Sequence, residues 1–426
     1  MKKRVIGSLV AVAIVLGGAW LGGIAWSRHV FAERLDEVMT RLNASPALSA
    51  SQQQLERGFL RTHGTLVVTW QQATLAGEPI ELVMPWQARH GILATRFSGE
   101  ADVRGGDDGP RLFADRLSPG ERVQLSAVIH HFQRNGELDV TFPERVGMTQ
   151  GPRRATLAGA RLQFEGDEHH LNLKGHFDSL QLADDSGSLA LGTGEFSSRR
   201  RMANASGEDD EQRIEQLRIE QLQVHSPGAL PVTLRGLHWQ GHAERRQGLL
   251  SYALSSRIEG IRVSQQGLGS LKLNATLDRL GAEAAERFMA GLRRSPASTA
   301  DDWLGLIEPV ESSFLAMLAP SPQLTLSELQ VRSPMLDQPI ALSGQLTFNG
   351  EGVTETRIAE LRRPAGMRHF LQRLTGSFTL SHAPPLLALI IGQNPDQNPI
   401  EFAISDGELR VNDQPLLPLG RLLSVP

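Results

Sequence analysis

Histidine is the residue type in this chain with the widest range of possible chemistry, because imidazole can ligate a metal or transfer a proton near neutral pH. The sequence has 13 histidines, including the adjacent pairs His130–His131 and His169–His170. Neighbouring residues of a β-strand point to opposite faces, so neither pair is expected to bind one metal ion. His238 and His242 have helical spacing, but strand and turn residues flank them and the glutamate of an HExxH site is missing. We therefore assign no metal-binding residue.

Motifs for nucleophilic catalysis and for phosphate binding are also missing. The chain has no Gly-x-Ser-x-Gly elbow and no GxxxxGK[ST] loop, and Gly192-Thr193-Gly194 lacks the third glycine of a dinucleotide fingerprint. The acid pairs Asp107-Asp108 and Asp184-Asp185 lie in turn-like sequence, where aspartate is favoured structurally. We assign no catalytic and no cofactor-binding residue, and we expect no cofactor.

An envelope hydrolase stays open as an alternative, because the fold could bring a histidine and a carboxylate together from distant parts of the chain. The relevant question is whether a histidine shares a cleft with an aspartate or glutamate. The candidates are His90, His130, His169, His176 and His238.

The N-terminal segment determines where everything after it lies. Val5–Trp26 carries no charged residue, and Lys2, Lys3 and Arg4 precede it. About 20 apolar residues in a helix cross the ~30 Å hydrocarbon core of a bilayer, and cations before the span favour a cytoplasmic N-terminus. We predict a membrane anchor over residues 1–26. A cleaved signal peptide is the alternative, but its best candidate cleavage site, Val30-Phe31-Ala32, lies beyond Arg28 and His29, away from the apolar run.

Composition excludes several classes of site and partner. The chain has no cysteine, which excludes disulfides, thiolate metal sites and cysteine nucleophiles. Aromatic residues make up only 5% of the chain and the net charge is −4. Stacking platforms and basic surfaces are the usual requirements for binding nucleic acid, so we expect no nucleic-acid partner.

The spacing of apolar residues along the sequence divides the rest of the chain into a helical segment and two β-rich regions. Residues 27–50 have apolar side chains at three- and four-residue spacing, which predicts a juxtamembrane helix. From residue 51 the period becomes two, with Gly-, Asp- and Asn-rich turns. Residues 51–196 are predicted to form a first β-rich region, residues 197–213 a polar linker or loop, and residues 214–426 a second β-rich region. Asn135-Gly136 is predicted to be a two-residue hairpin turn.

An internal repeat lies in the second region. Leu217–Pro227 and Leu324–Pro334 share a strand-like pattern that ends in Ser-Pro at an offset of 107 residues, and Pro231–Gly236 is similar to Pro339–Gly344. This predicts a duplicated β unit over about 217–241 and 324–350. Helices are expected near 278–318, with a break at Glu308-Pro309. The apolar run from 384 to 391 is a short buried helix or a strand.

Three segments carry a resemblance to a known family. Leu55–Thr65 contains Gly58 and Phe59, His90-Gly91 follows later, and Ile404–Leu416 lies near the C-terminus. They resemble the YdgA-like family of uncharacterised bacterial envelope proteins, DUF945. The resemblance implies a single-pass bacterial inner-membrane protein with a cytoplasmic N-terminus and a periplasmic body. It supplies no catalytic residue.

These observations predict a mainly β protein with inserted helices (α+β), in which an N-terminal transmembrane helix precedes an elongated, repetitive antiparallel body. The strands either pair as a sandwich or form a trough that is open to apolar ligands. We expect a non-catalytic, membrane-anchored periplasmic protein. Its expected partners are the inner membrane, through residues 5–26, and either a lipid or an envelope protein.

Overall fold

A computed structural model describes residues 22–33, 35–40, 42–44, 48–75, 78–105, 122–150, 152–167, 169–202, 211–294 and 303–422. The described chain is mainly antiparallel β-structure with inserted helices, which confirms the predicted fold class at this level. It divides into two compact units, unit 1 (Met1–Ser197) and unit 2 (Ser198–Pro426). None of the helices in the described ranges combines the length and apolarity needed to cross a bilayer. Residues 5–21 of the predicted anchor lie outside those ranges.

Unit 1 begins with helix α1, which covers residues 22–33, 35–40 and 42–43. The predicted juxtamembrane helix therefore ends earlier than residue 50, because the chain is already extended from Leu48. The strands that follow are β1 (Leu48–Arg57), β2 (Arg61–Leu75), β3 (Glu78–His90), β4 (Ala94–Gly105), β5 (Val123–His130), β6 (Asn135–Thr141), β7 (Arg145–Gln150), β8 (Arg153–Ala158), β9 (Arg161–Gly166), β10 (His170–Phe177), β11 (Ser179–Asp184), β12 (Gly187–Leu191) and β13 (Gly194–Arg201).

Strands β1 to β6 pair antiparallel in chain order, and β6 then pairs with β9, which pairs with β10. Strands β7, β8, β11 and β12 form a second antiparallel run. Alternation along β3 buries Trp86, Ala88 and His90 while the residues between them stay exposed. The buried face of β3 is the surface on which helix α1 packs.

The hairpin between β5 and β6 corrects one prediction. Asn135 and Gly136 are the first residues of β6, and the turn is the four-residue segment 131–134, with Arg134 at φ 52°. The observed register places Leu125 opposite Val140, and both pack on the buried cluster of Met84, Ala101 and Val123. Burial of this cluster therefore decides the register against the local Asn-Gly preference.

The described residues of unit 2 form ten further strands: β14 (Glu211–His225), β15 (Val232–Arg246), β16 (Leu249–Val263), β17 (Gln266–Gly281), β18 (Gln323–Arg332), β19 (Ile340–Phe348), β20 (Leu374–Ser381), β21 (Ile400–Ser405), β22 (Glu408–Val411) and β23 (Gln414–Pro418). Each strand pairs antiparallel with the next in chain order.

The two copies of the sequence repeat coincide with two hairpins of unit 2. Leu222 of β14 lies opposite Leu234 of β15, and Leu329 of β18 lies opposite Leu342 of β19. These pairs occupy corresponding positions in the repeat, so both copies adopt the same local register.

The polar segment 197–213 is partly strand. Strand β13 continues to Arg201 and β14 starts at Glu211, and the Arg200 Nε lies 2.7 Å from a Glu211 carboxylate oxygen. The strands therefore extend further into this segment than its composition suggests.

Helices in unit 2 interrupt the strand order. They are α2 (Ala282–Arg294), α3 (Trp303–Ile307), α4 (Glu311–Leu318), α5 (Ile358–Leu361), α6 (Pro364–Leu371), α7 (Pro385–Ile390) and α8 (Leu419–Leu422). A 3-10 turn over Glu308–Val310 separates α3 from α4 at the expected proline. The main helical core contains the buried side chains of Leu304, Leu315, Phe348, Val353, Ile358 and Leu361.

Candidate functional site

Helix α1 packs on the sheet of unit 1 through one narrow stripe. Ile24, Ser27 and Phe31 are buried, and their spacing of three and four residues places them on one face. Phe31 contacts Trp86 and His90, with ring centroids 5.9 and 5.4 Å away. A serine in the middle of an otherwise apolar stripe needs a hydrogen-bond partner, because burial of an unpaired hydroxyl is costly.

Ser27 finds its partners in a buried polar network. Its Oγ lies 2.6 Å from the His131 Nε2 and 3.0 Å from the Thr95 Oγ1, and the same Thr95 oxygen lies 3.1 Å from the His131 Nε2. The His90 Nδ1 is 3.3 Å from Thr95 Oγ1, while the His90 Nε2 is 2.8 Å from Thr62 Oγ1. The network thus joins the helix to strands β2, β3 and β4 and to the turn after β5.

Both histidines in this network favour the neutral state. Burial lowers the pKa of His90, and the positive charge of Arg28 and the neighbouring His131 lower it further. Burial also lowers the pKa of His131, with a smaller contribution from His130. Neutral imidazoles suit this site because every partner oxygen belongs to an uncharged hydroxyl.

The Ser27–His131 pair has the distance of a nucleophile and its base, but its surroundings do not suit catalysis. A catalytic serine must reach substrate, and a third group normally orients the far nitrogen of the histidine. Ser27 is 0% exposed, and the His131 Nδ1 is buried without a hydrogen-bond partner in the described part of the chain. The arrangement is suited to fixing the helix on the sheet.

Three of the five histidines proposed for a hydrolase form no hydrogen bond or ion pair with a carboxylate of the described residues. His90 contacts threonines, His130 pairs with Ala94 and Asn135 in the β5 ladder, and His238 accepts a hydrogen bond from the Arg218 Nε at 3.2 Å.

The other two candidates lie near exposed aspartates. Asp167 accepts the backbone N–H groups of His169 and His170, and Asp178 lies 3.0 Å from the His176 Nε2. These contacts are at the surface of turns. The described residues contain no group of three or more His, Asp and Glu that could bind a metal.

Four residues of the network were not proposed as site residues in the sequence analysis: Ser27, Thr62, Thr95 and His131. The signal for Ser27 was its position within the Ile24–Phe31 stripe. His131 lacked such a signal, because a two-residue turn at Asn135 would have placed it within a strand instead of at the turn that buries it.

A second notable surface is one face of the sheet in unit 2. Cross-strand partners place apolar side chains next to each other from strand to strand, in two rows. The first row is Ile219, Leu237, Ile258, Leu271, Val331 and Ile340. The second row is Leu217, Trp239, Leu273, Leu329 and Leu342, with the small polar side chain of Ser256 between Trp239 and Leu273. We call these two rows the apolar face.

The opposite face of the same strands is polar. Arg218, His238, Arg257, Lys272 and Gln330 form one cross-strand row there. On the apolar face Ile219 is buried, whereas its row partners Leu237, Ile258 and Leu271 are only half-buried. A sheet face inside a closed core would have mostly buried side chains, so the apolar face is only partly covered by the described chain.

The comparisons with known proteins identify a family. The chain matches a family model described as a bacterial protein of unknown function, DUF945, over residues 1–394. No curated protein has significant similarity to the chain. No solved structure does either. The match covers most of the 426 residues, and the chain therefore belongs to the DUF945 family.

Proposed function

We propose that this protein is a non-catalytic, membrane-anchored protein of the bacterial envelope, and that its apolar face binds lipid acyl chains. The observation that carries the proposal is the half-buried state of the two apolar rows. Apolar side chains that stay partly accessible over several strands favour association with another apolar surface.

The anchor in this proposal is the apolar segment from residue 5 to residue 21. Ile24 and Ser27 are buried against the β-sheet of unit 1, so the end of the membrane span must precede them. The remaining 17 residues lie within the ~17–25 residues of ordinary spans. The cations at residues 2–4 favour a cytoplasmic N-terminus, which directs the body to the periplasm.

The dimensions of the apolar face suit an acyl chain. Each row crosses six strands, and strands lie about 4.8 Å apart, so a row is about 24 Å long. One leaflet of a bilayer core is about 15 Å thick, which is the depth that a lipid chain spans. The apolar face therefore offers enough length for one chain to lie across the strands.

An envelope protein partner is the second candidate occupant of the apolar face. Partly exposed apolar rows on a sheet are also a common basis for protein association. The hydrolase alternative has no comparable support, because the one serine–histidine pair in the described network is buried.

A photo-crosslinker on neighbouring residues of β17 tests the proposal. Leu273 belongs to the apolar face and Lys272 to the polar face, so a diazirine amino acid at each position samples opposite sides of one strand. We expect crosslinked phospholipid on the full-length protein at position 273 and none at position 272 after irradiation in cells. A protein adduct at position 273 would favour the partner alternative, and equal adducts at both positions would contradict a specific apolar site.

A further inference from the structure

The end of unit 1 at which helix α1 begins exposes an unusual set of apolar side chains. Phe132 and Leu93 are 68% and 70% exposed, and Leu60, Trp26 and Phe59 are 46%, 43% and 41% exposed. Phe59 and Leu60 lie in the β1–β2 turn, Leu93 in the β3–β4 turn and Phe132 in the β5–β6 turn. We call these five residues the hairpin end.

The members of the hairpin end form one surface. The His90 N–H donates to the Leu60 carbonyl and the His131 N–H donates to the Leu93 carbonyl, so each turn is bonded to the next. Trp26 reaches this surface from helix α1, with its ring centroid 5.6 Å from that of Phe132. The exposed rings and aliphatic chains are therefore adjacent in space.

A row of arginines lies next to the hairpin end. Arg61 of β2 is directly opposite Arg89 of β3, which is directly opposite Arg96 of β4. All three side chains are exposed and form no ion pair within the described chain. Like charges directly opposite each other are unfavourable in a sheet, so this row is suited to binding anions that lie between the guanidinium groups.

The position of the hairpin end along the chain indicates which surface it meets. The described part of α1 starts at residue 22, and a Cβ on Gly23 would lie only 3.1 Å from the Ile92 side chain of the β3–β4 turn. The apolar segment 5–21 comes directly before this contact. The hairpin end is thus separated from the proposed anchor by only a few residues.

We propose that the hairpin end is a membrane-contact surface on the same bilayer in which residues 5–21 are anchored. Its aromatic and leucine side chains enter the boundary between headgroups and acyl chains, where amphipathic and aromatic residues are favoured. Arg61, Arg89 and Arg96 bind the phosphates of anionic lipid headgroups. This inference rests on the proposed membrane anchor and adds a second contact between the body and the membrane.

Depth-dependent quenching of single fluorescent probes tests the contact. Because the chain has no native cysteine, Leu93→Cys and Phe132→Cys can each be labelled selectively in the full-length protein. The labelled protein is placed in vesicles of phosphatidylethanolamine and phosphatidylglycerol that contain acyl-brominated lipid. The control is Gln124→Cys, an exposed position on β5 about 20 Å along the strand from the turn.

We expect several-fold stronger quenching at positions 93 and 132 than at position 124. A probe on Ala11→Cys, within the apolar segment, separates the two proposals. If position 11 is quenched while positions 93 and 132 match position 124, the anchor stands and the membrane-contact surface is wrong. If position 11 is also unquenched, the anchor itself is wrong.

The arginine row has its own test with a matched control. We expect quenching at position 132 to rise with the fraction of phosphatidylglycerol, and the combined Arg61→Gln, Arg89→Gln and Arg96→Gln variant to lose this dependence. A variant that removes three other exposed arginines of unit 1, at positions 145, 154 and 161, should retain it. An unchanged lipid dependence in the first variant would overturn the role of the row.

Discussion

At the scale of single residues, the network around Thr95 explains how a polar helix position is tolerated in a packed interface. The Ser27 and Thr95 hydroxyls and the His131 Nε2 lie 2.6–3.1 Å from one another, and His90 extends the network to Thr62. Removal of one member leaves a buried polar atom without its partner, which costs about 1–3 kcal/mol. The network therefore specifies one position of the helix on the sheet.

The lowered pKa values of His90 and His131 predict that unit 1 loses stability in mild acid. Unfolded histidine takes up a proton as the pH falls through about 6.5, whereas the folded residues resist protonation until a lower pH. The unfolded state then binds more protons, so acid favours unfolding by at most about 1.4 kcal/mol per pH unit for each histidine. We expect the urea midpoint in detergent, followed by tryptophan fluorescence, to fall between about pH 7 and pH 5.5.

His131→Gln is the control for this pH dependence. Glutamine can place a donor near the position of the imidazole Nε2 but does not titrate. We expect the His131→Gln variant to be less stable than the wild type at neutral pH. Its urea midpoint should fall less than that of the wild type when the pH is lowered. A variant with the same acid-induced fall as the wild type would show that His131 does not contribute.

Residue-level prediction from sequence reached only part of the network. His90 was identified as a candidate because it is a histidine, but its threonine partners come from two other strands. The pairing of Ser27 with His131 joins residues 104 positions apart. Such a contact depends on strand register and helix docking, which local patterns do not encode.

At the scale of elements, helices α2 and α4 enclose the 3-10 turn with little spare space. A Cβ on Gly291 of α2 would lie 2.2 Å from the Val310 Cγ1. Alanine normally stabilises a helix by about 1 kcal/mol relative to glycine, whereas overpacking costs about 1–3 kcal/mol. Because Val310 is buried and β-branched, we expect overpacking to exceed the gain in helix propensity.

Gly291→Ala is therefore expected to lower the stability of unit 2 by about 1–2 kcal/mol in a denaturant titration. The same change in a Val310→Ala background should be neutral or stabilising, because the clashing methyl group is gone. If Gly291→Ala is equally destabilising in both backgrounds, the contact with Val310 is not the cause.

Element boundaries illustrate what sequence patterns can and cannot determine. The break at Pro309 was predictable because proline disrupts a helix locally, and the structure has a 3-10 turn there. The prediction of a turn at Asn135-Gly136 was wrong because the buried partners of Leu125 and Val140 determine the register. The local sequence determines where an element begins or ends when no tertiary contact favours a different boundary.

At the scale of the whole molecule, the proposed single-pass topology places both units on one side of the membrane. Ser188 of unit 1 and Asp337 of unit 2 are exposed, and Lys3 precedes the apolar segment. We expect an impermeant maleimide to label Ser188→Cys and Asp337→Cys in cells with a permeabilised outer membrane. Lys3→Cys should react only after lysis. Labelling of Lys3→Cys in the permeabilised cells before lysis would reverse the predicted orientation.

The strand order of unit 2 has a consequence for export. Each strand from β15 to β23 pairs with the one before it, so its partner has already emerged when the body crosses a membrane from its N-terminal end to its C-terminal end. The connections from β15 to β16 and from β16 to β17 are two-residue turns, at 247–248 and 264–265, which keeps their loop-closure entropy small. With the body exported as proposed, folding can therefore proceed hairpin by hairpin during translocation, and without cysteines it requires no oxidative folding enzyme.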